Sequence, residues 1–165
     1  MAGAYETGVY RNIFKECGYS EEEIEKRVKE IFIINEKLQE TSLSQSVIPG
    51  SGPRHMIFSH DGKYCYLVNE IANSIMVYQY EDGHFTLIQV IHCVPRHFHG
   101  FSSAAAIHMT SSGKHIIVSN RGHDSIVLYR VNQETGKITL LYMVHTGKGP
   151  RDFNIIDDRY IVVAS

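Results

Sequence analysis

The segment beginning at Ser59 is repeated from Thr110, and this internal repeat limits the fold more than any other feature of the chain. SHDGKYCYLVNEIANSIMVYQYEDGHFTLIQVI aligns with TSSGKHIIVSNRGHDSIVLYRVNQETGKITLLYMV, placing Gly62 over Gly113, Asn69 over Asn120, Ile75 over Ile126 and Tyr78 over Tyr129. The offset is 51 residues throughout. Each unit holds one apolar strand before its Gly-Lys turn and three more strands joined by short turns. Four strands per unit at a period of roughly 40–50 residues is the pattern of a propeller blade, whereas solenoid repeats are usually shorter or helical.

The flanks extend the pattern. Lys37-Leu38-Gln39-Glu40 matches the last strand of each unit, Gly149-Pro150-Arg151 repeats Gly52-Pro53-Arg54, and Tyr160–Ser165 matches Tyr64–Asn69. The expected fold is therefore mainly β: a partial β-propeller over residues 35–165, with two full four-stranded blades and two partial ones. On this reading the chain starts at the end of one blade and stops inside a fourth, as a truncated gene product or one partner of an assembly would. Open strand edges and uncovered faces would then favour self-association.

Residues 1–34 differ in style and are expected to form a short helical hairpin, separate from the β region, as a segment fused to it would be. Ser20 and Glu23 have the spacing of a capping box. Ile24, Val28, Ile31 and Phe32 follow at helical intervals. An earlier turn around Val9, Tyr10, Ile13 and Phe14 ends near Gly18, a residue suited to a helix C-terminus.

Composition excludes several function classes. A net charge of −2 leaves no electrostatic footprint for nucleic acid. No apolar run approaches the roughly 18 residues needed to cross a bilayer, and the N-terminus shows no basic-then-apolar leader. The expectation is a cytoplasmic protein with neither membrane nor nucleic-acid partners. Cys17, Cys65 and Cys93 are odd in number and widely spaced, as expected of reduced thiols.

The segments GSGPRHMIFSHDGKYCYLVNE, SNRGHDSIVLY and GPRDFNI resemble the bacterial 6-phosphogluconolactonase family of seven-bladed propellers, over about 130 residues. The resemblance implies a hydrolase of the pentose phosphate pathway that opens 6-phosphoglucono-1,5-lactone, a phosphorylated sugar lactone, without metal or cofactor. It further implies catalytic roles for Arg54 and His55 of GPRH, Glu70 of VNE and Arg121 of NRGH, with Arg151 and His123 binding substrate. These residue types suit the chemistry. Guanidinium forks hold phosphate and stabilise charge growing on a carbonyl, and a carboxylate or imidazole can move the proton of an attacking water. The plain rivals are blade-to-blade salt bridges for the arginines, structural roles for the histidines, and turn roles for Glu70, Asn69 and Asn120. Ala106 stands where family members often carry an acid, and the loop Pro95–Gly100 replaces a usually acidic stretch.

Two other function classes compete. A propeller with missing blades could be a non-catalytic binding or assembly module. The stretch Tyr10–Phe32 is similar to the opening helices of glycoside hydrolase family 8, which would make the chain a carbohydrate-active fragment; its carboxylates read better as a solvated helical turn. His92, His97 and His99 with Cys93 lack the paired spacing of a zinc site and read as an exposed loop. Thr146-Gly147-Lys148-Gly149 lacks the spacing of a phosphate loop.

Overall fold

The computed structural model describes residues 32–34, 38–40 and 45–165, the first two stretches as backbone only. Twelve strands make up these residues, and no helix occurs among them. β3 (Pro53–Phe58), β4 (Tyr64–Asn69), β5 (Ser74–Glu81) and β6 (His84–His92) form one antiparallel sheet in sequential order. β7 (Ser103–Met109), β8 (His115–Arg121), β9 (Ser125–Val131) and β10 (Ile138–His145) form a second of the same topology. β11 (Asp152–Ile156) pairs with β12 (Tyr160–Ala164), and β1 (Phe32–Ile34) with β2 (Leu38–Glu40). The two expected whole blades and the partial one that follows them are thus present as successive meanders.

One boundary moves. Phe32 and Ile33 were expected in the helical segment, yet Phe32–Ile34 pairs with Leu38–Glu40 as a hairpin. Phe-Ile-Ile is aromatic and β-branched, which favours a pleated strand once a partner lies three residues on. The remainder of the expected hairpin, including Ser20, Glu23, Ile24 and Val28, lies outside the described residues.

Turn chemistry sets each meander. The Asp82-Gly83 hairpin turn has both residues at positive φ, 46° and 86°, the arrangement that matches strand twist. Asn73 and Asp124 hold the repeat-equivalent left-handed position at 47° and 51°, which these two residue types tolerate better than most.

The central strands are apolar on both faces because a blade is covered on both sides. Tyr66, Val68, Ile75 and Val77 turn to the second blade and pack on Ile116, Val118, Val127 and Tyr129. The alternate residues Cys65, Leu67, Met76 and Tyr78 form a cluster on the opposite face with Val47 and Phe85. In the second blade, Ile117 and Ile126 pack on Phe153 of β11. Burying each such Val, Leu or Ile contributes about 1.5–3 kcal/mol, so the inter-blade faces dominate stability. Some apolar surface stays exposed among the described residues: Met56 and Phe58 on β3, and Leu140, Tyr142 and Val144 on β10.

Polar links stitch blade to blade. Gln89 bridges the backbone of Ile138 through both ends of its amide, and the Tyr64 hydroxyl donates to the carbonyl of Glu134. Asp158 accepts the backbone N–H groups of Ser111 and Ser112 at 2.7 and 2.9 Å, which lowers its carboxyl to about 2. Asn69 and Asn120 are fully buried strand ends and not turn residues. Each donates across its hairpin to a serine hydroxyl, Ser74 or Ser125, and Asn120 also donates to the carbonyl of Cys93 at 2.8 Å.

Candidate functional site at the blade junction

The innermost strands β3, β7 and β11 carry the Gly-Pro-Arg motifs and their equivalent, so successive blades bring these positions side by side. Gly52 makes the first approach possible. Its φ is 65°, and a Cβ there would lie 2.7 Å from the Ile71 side chain. Its carbonyl accepts the Glu70 N–H at 2.7 Å, locking the end of β4 to the start of β3. A bulge between Pro53 and His55 leaves Arg54 as the extra residue. Bulges re-aim side chains in this way beside functional sites.

Arg54 and Arg121 converge on Glu70. Arg54 Nε lies 3.4 Å from Glu70 Oε2, and Arg121 Nη2 donates to Glu70 Oε1. Arg54 Nη1 also donates to the carbonyl of Ala105 at 2.8 Å, fastening β3 to β7. Burial works against the charge of Arg54 and Glu70 supports it, while Arg121 and Arg151 press against it. The guanidinium remains a cation, because arginine does not deprotonate in proteins. Two cations around one carboxylate leave a net positive site.

Glu70 and Arg121 line an open cavity of about 650 Å³ together with Asn73, Phe101, Ser102 and Ser103. Its far wall is held in place. Asn73 Nδ2 donates to the Ser102 carbonyl at 2.8 Å, and a Cβ on Gly122 would collide with the Phe101 carbonyl oxygen.

His55 sits beside Arg54, with its ring nitrogens 3.1 and 3.2 Å from Nη1. Burial, and then the Arg54 charge, push the imidazole below its ordinary range, so the ring is neutral near pH 7. Arg151 is exposed just before β11, close enough for its charge to bear on Arg54. The structure therefore brings together Arg54, His55, Glu70, Arg121 and Arg151.

His123 is not part of that group. It is 8% exposed. Its Nδ1 lies 2.8 Å from the Ser125 hydroxyl, and its ring packs edge-on to Phe98 and against His145. The turn after β8 points this side chain beneath the loop that follows β6, although it is only two residues from Arg121. Burial, and then His145, keep it below the usual imidazole range.

Two polar residues were missed in the sequence. His108 on β7 and Asp152 on β11 pair at 3.0 Å, next to His55, whose charge the Asp152 carboxylate favours. Asp152 follows Arg151 as His55 follows Arg54, which was a legible signal; His108 had none. Just after β6, Cys93 is buried with its thiol pushed up to about 12, while His92 at the end of β6 and His97 and His99 in the loop are exposed. No cluster of three or more metal-ligating side chains occurs among the described residues.

Residues 30–165 match the family described as lactonase, 7-bladed beta-propeller. The chain belongs to the lactonase family. It is 40% identical over 125 residues to the 6-phosphogluconolactonase of Bacillus subtilis, covering 74% of this chain and 36% of that protein. The periplasmic gluconolactonase of Pseudomonas aeruginosa superposes with a TM-score of 0.73 at 32% identity, over 76% of this chain and 36% of that one. A Lactobacillus plantarum protein superposes with a TM-score of 0.76 at 31% identity, over 81% and 40%. This lactonase-family chain thus spans little more than a third of these relatives. The likeness of Tyr10–Phe32 to glycoside hydrolase family 8 gains no support from them. No helix among the described residues is long and apolar enough to cross a membrane.

Proposed function

We propose that the chain supplies the arginine–carboxylate site of a lactonase that hydrolyses 6-phosphoglucono-1,5-lactone to 6-phosphogluconate. The observation that carries this reading is Glu70 held between Arg54 and Arg121 on an open cavity. Two of the relatives that share these blades, those of Bacillus subtilis and Pseudomonas aeruginosa, are lactonases by name.

The chemistry follows from charge. Attack of water on a lactone carbonyl builds negative charge on the carbonyl oxygen, and a pre-oriented guanidinium stabilises that charge without reorganising. Glu70 fixes both forks, with Arg121 lining the cavity and Arg54 held behind the same carboxylate. Arg151 adds a cation for the substrate phosphate. An imidazole at the blade junction supplies the proton acceptor.

The test is ring opening of freshly prepared 6-phosphoglucono-1,5-lactone by the purified chain, followed by titration of the acid released. Hydrolysis above the spontaneous rate, inhibited by 6-phosphogluconate, is expected. A folded chain that adds nothing to the spontaneous rate would refute the proposal for this protein.

A further inference from the structure

Two imidazoles lie at the blade junction, His55 against Arg54 and His108 against Asp152, and their hydrogen bonds leave them with different chemistry. We infer that His108, oriented by Asp152, is the general base that takes the proton of the attacking water. This rests on the lactonase reading above and deepens it.

Asp152 Oδ1 receives both the His108 Nε2 contact at 3.0 Å and the N–H of Phe153 at 2.8 Å. These two bonds, His108 foremost, hold the Asp152 carboxyl below the usual carboxylate range. An ionised carboxylate only accepts, so the shared proton belongs to His108 Nε2. In the neutral ring, Nδ1 then carries the lone pair. That atom has no hydrogen-bond partner among the described residues, and the side chain is 39% exposed. Phe153 stands edge-on to the ring, with centroids 4.7 Å apart, and fixes its plane. A carboxylate behind an imidazole whose other nitrogen is free is the arrangement by which a third group orients a base.

His55 is arranged in the opposite way. Both of its ring nitrogens face Arg54 Nη1, which has only protons to offer. The basic lone pair of a neutral His55 is therefore engaged by a cation, which weakens it as a proton acceptor. His55 fits better as a neighbour that steadies Arg54.

The charged and titratable groups that bear on the dyad are His55 and Arg54, both on β3. The step is balanced within the site. His108 Nδ1 removes a proton from water as the water oxygen bonds to the lactone carbonyl carbon, and the carbonyl π pair moves onto its oxygen opposite the arginines. Collapse breaks the bond from that carbon to the ring oxygen, which takes the proton back from His108. The product is the open hydroxy acid, which ionises in water.

The test compares pH–rate profiles of the wild-type chain with those of His108→Gln, Asp152→Asn and His55→Gln. His108→Gln is expected to lower kcat on the order of 100-fold, the span of a lost general base, with KM little changed and the acid limb of the profile gone. Asp152→Asn lowers kcat in the same direction, and His55→Gln keeps the acid limb while raising KM. Long-range 1H–15N spectra of the wild-type chain read the tautomer without turnover, and neutral His108 protonated on Nε2 is expected. An acid limb that survives in His108→Gln but vanishes in His55→Gln would overturn the assignment, as would His108 protonated on Nδ1. An inactive wild type would instead refute the lactonase reading itself, and the base with it.

Discussion

Glu70 and Arg121 occupy the same position in two successive repeats, 51 residues apart, and bond to each other across the blade junction. The 51-residue repeat that builds the blades thus also builds the site, since the divergence of one position into a carboxylate and a guanidinium makes the link. Arg54 and Ala105 are related by the same 51-residue separation, with the arginine donating to the alanine carbonyl.

Neutralising the carboxylate should therefore disorganise both arginines at once. Glu70→Gln is expected to lower kcat/KM for 6-phosphoglucono-1,5-lactone by about 100-fold, as misplacement of a positioning group does. Steady-state kinetics on the folded variant checks this. An unchanged rate would show that the pair only joins blades.

Asn120→Ala should cost more stability than Asn69→Ala. Asn120 donates to the buried carbonyl of Cys93 as well as to Ser125, and its loss strands that carbonyl at roughly 1–3 kcal/mol. Asn69 gives only longer bonds within its own hairpin, at 3.2 and 3.4 Å. Urea unfolding of the two variants gives the comparison, and equal losses would contradict it.

How much of this was readable in advance divides by range. The blades were legible because Gly62/Gly113, Asn69/Asn120 and the Gly-Pro-Arg motifs recur in fixed order. Arg54, Glu70 and Arg121 were legible with them, being fixed to strand ends. His108 and Asp152 are 44 residues apart, and only the closing of one innermost strand against the next brings them together. His123 lies apart from the arginine cluster for a local reason: nearness in sequence to Arg121 does not say to which side of a tight turn a side chain points. The repeated Asn–Ser pairs, Asn69 with Ser74 and Asn120 with Ser125, were visible in the alignment, yet their burial depends on the neighbouring blade.

Acid should loosen the fold partly through His123. Its folded-state pKa is depressed by burial and His145, so the unfolded chain binds the proton more readily. Stability is then fully present above the unfolded value of about 6.5 and declines as pH falls below it, towards the lower folded value. Unfolding midpoints at pH 7.5 and 5.5 should show the drop, with a smaller drop in His123→Gln. An equal or larger drop in the variant would contradict a neutral buried ring.

Cys65 and Cys93 should resist thiol reagents in the folded chain. Burial pushes both thiols up to about 12 and leaves neither with exposed surface, and the thiolate is the reactive form. Peptide mapping after alkylation, with and without urea, reads each site. Rapid modification of either one in native buffer would show that the blades open readily.

The most direct measurement is lactone turnover by the wild-type chain set beside Arg121→Lys. Lysine keeps the positive charge and loses the planar fork that Glu70 orients. Wild-type hydrolysis of 6-phosphoglucono-1,5-lactone faster than the spontaneous reaction, with a large loss in kcat for Arg121→Lys, is the expected result. A folded wild type no faster than water, or a lysine variant as fast as the parent, would contradict a lactonase site built on these two arginines and their shared carboxylate.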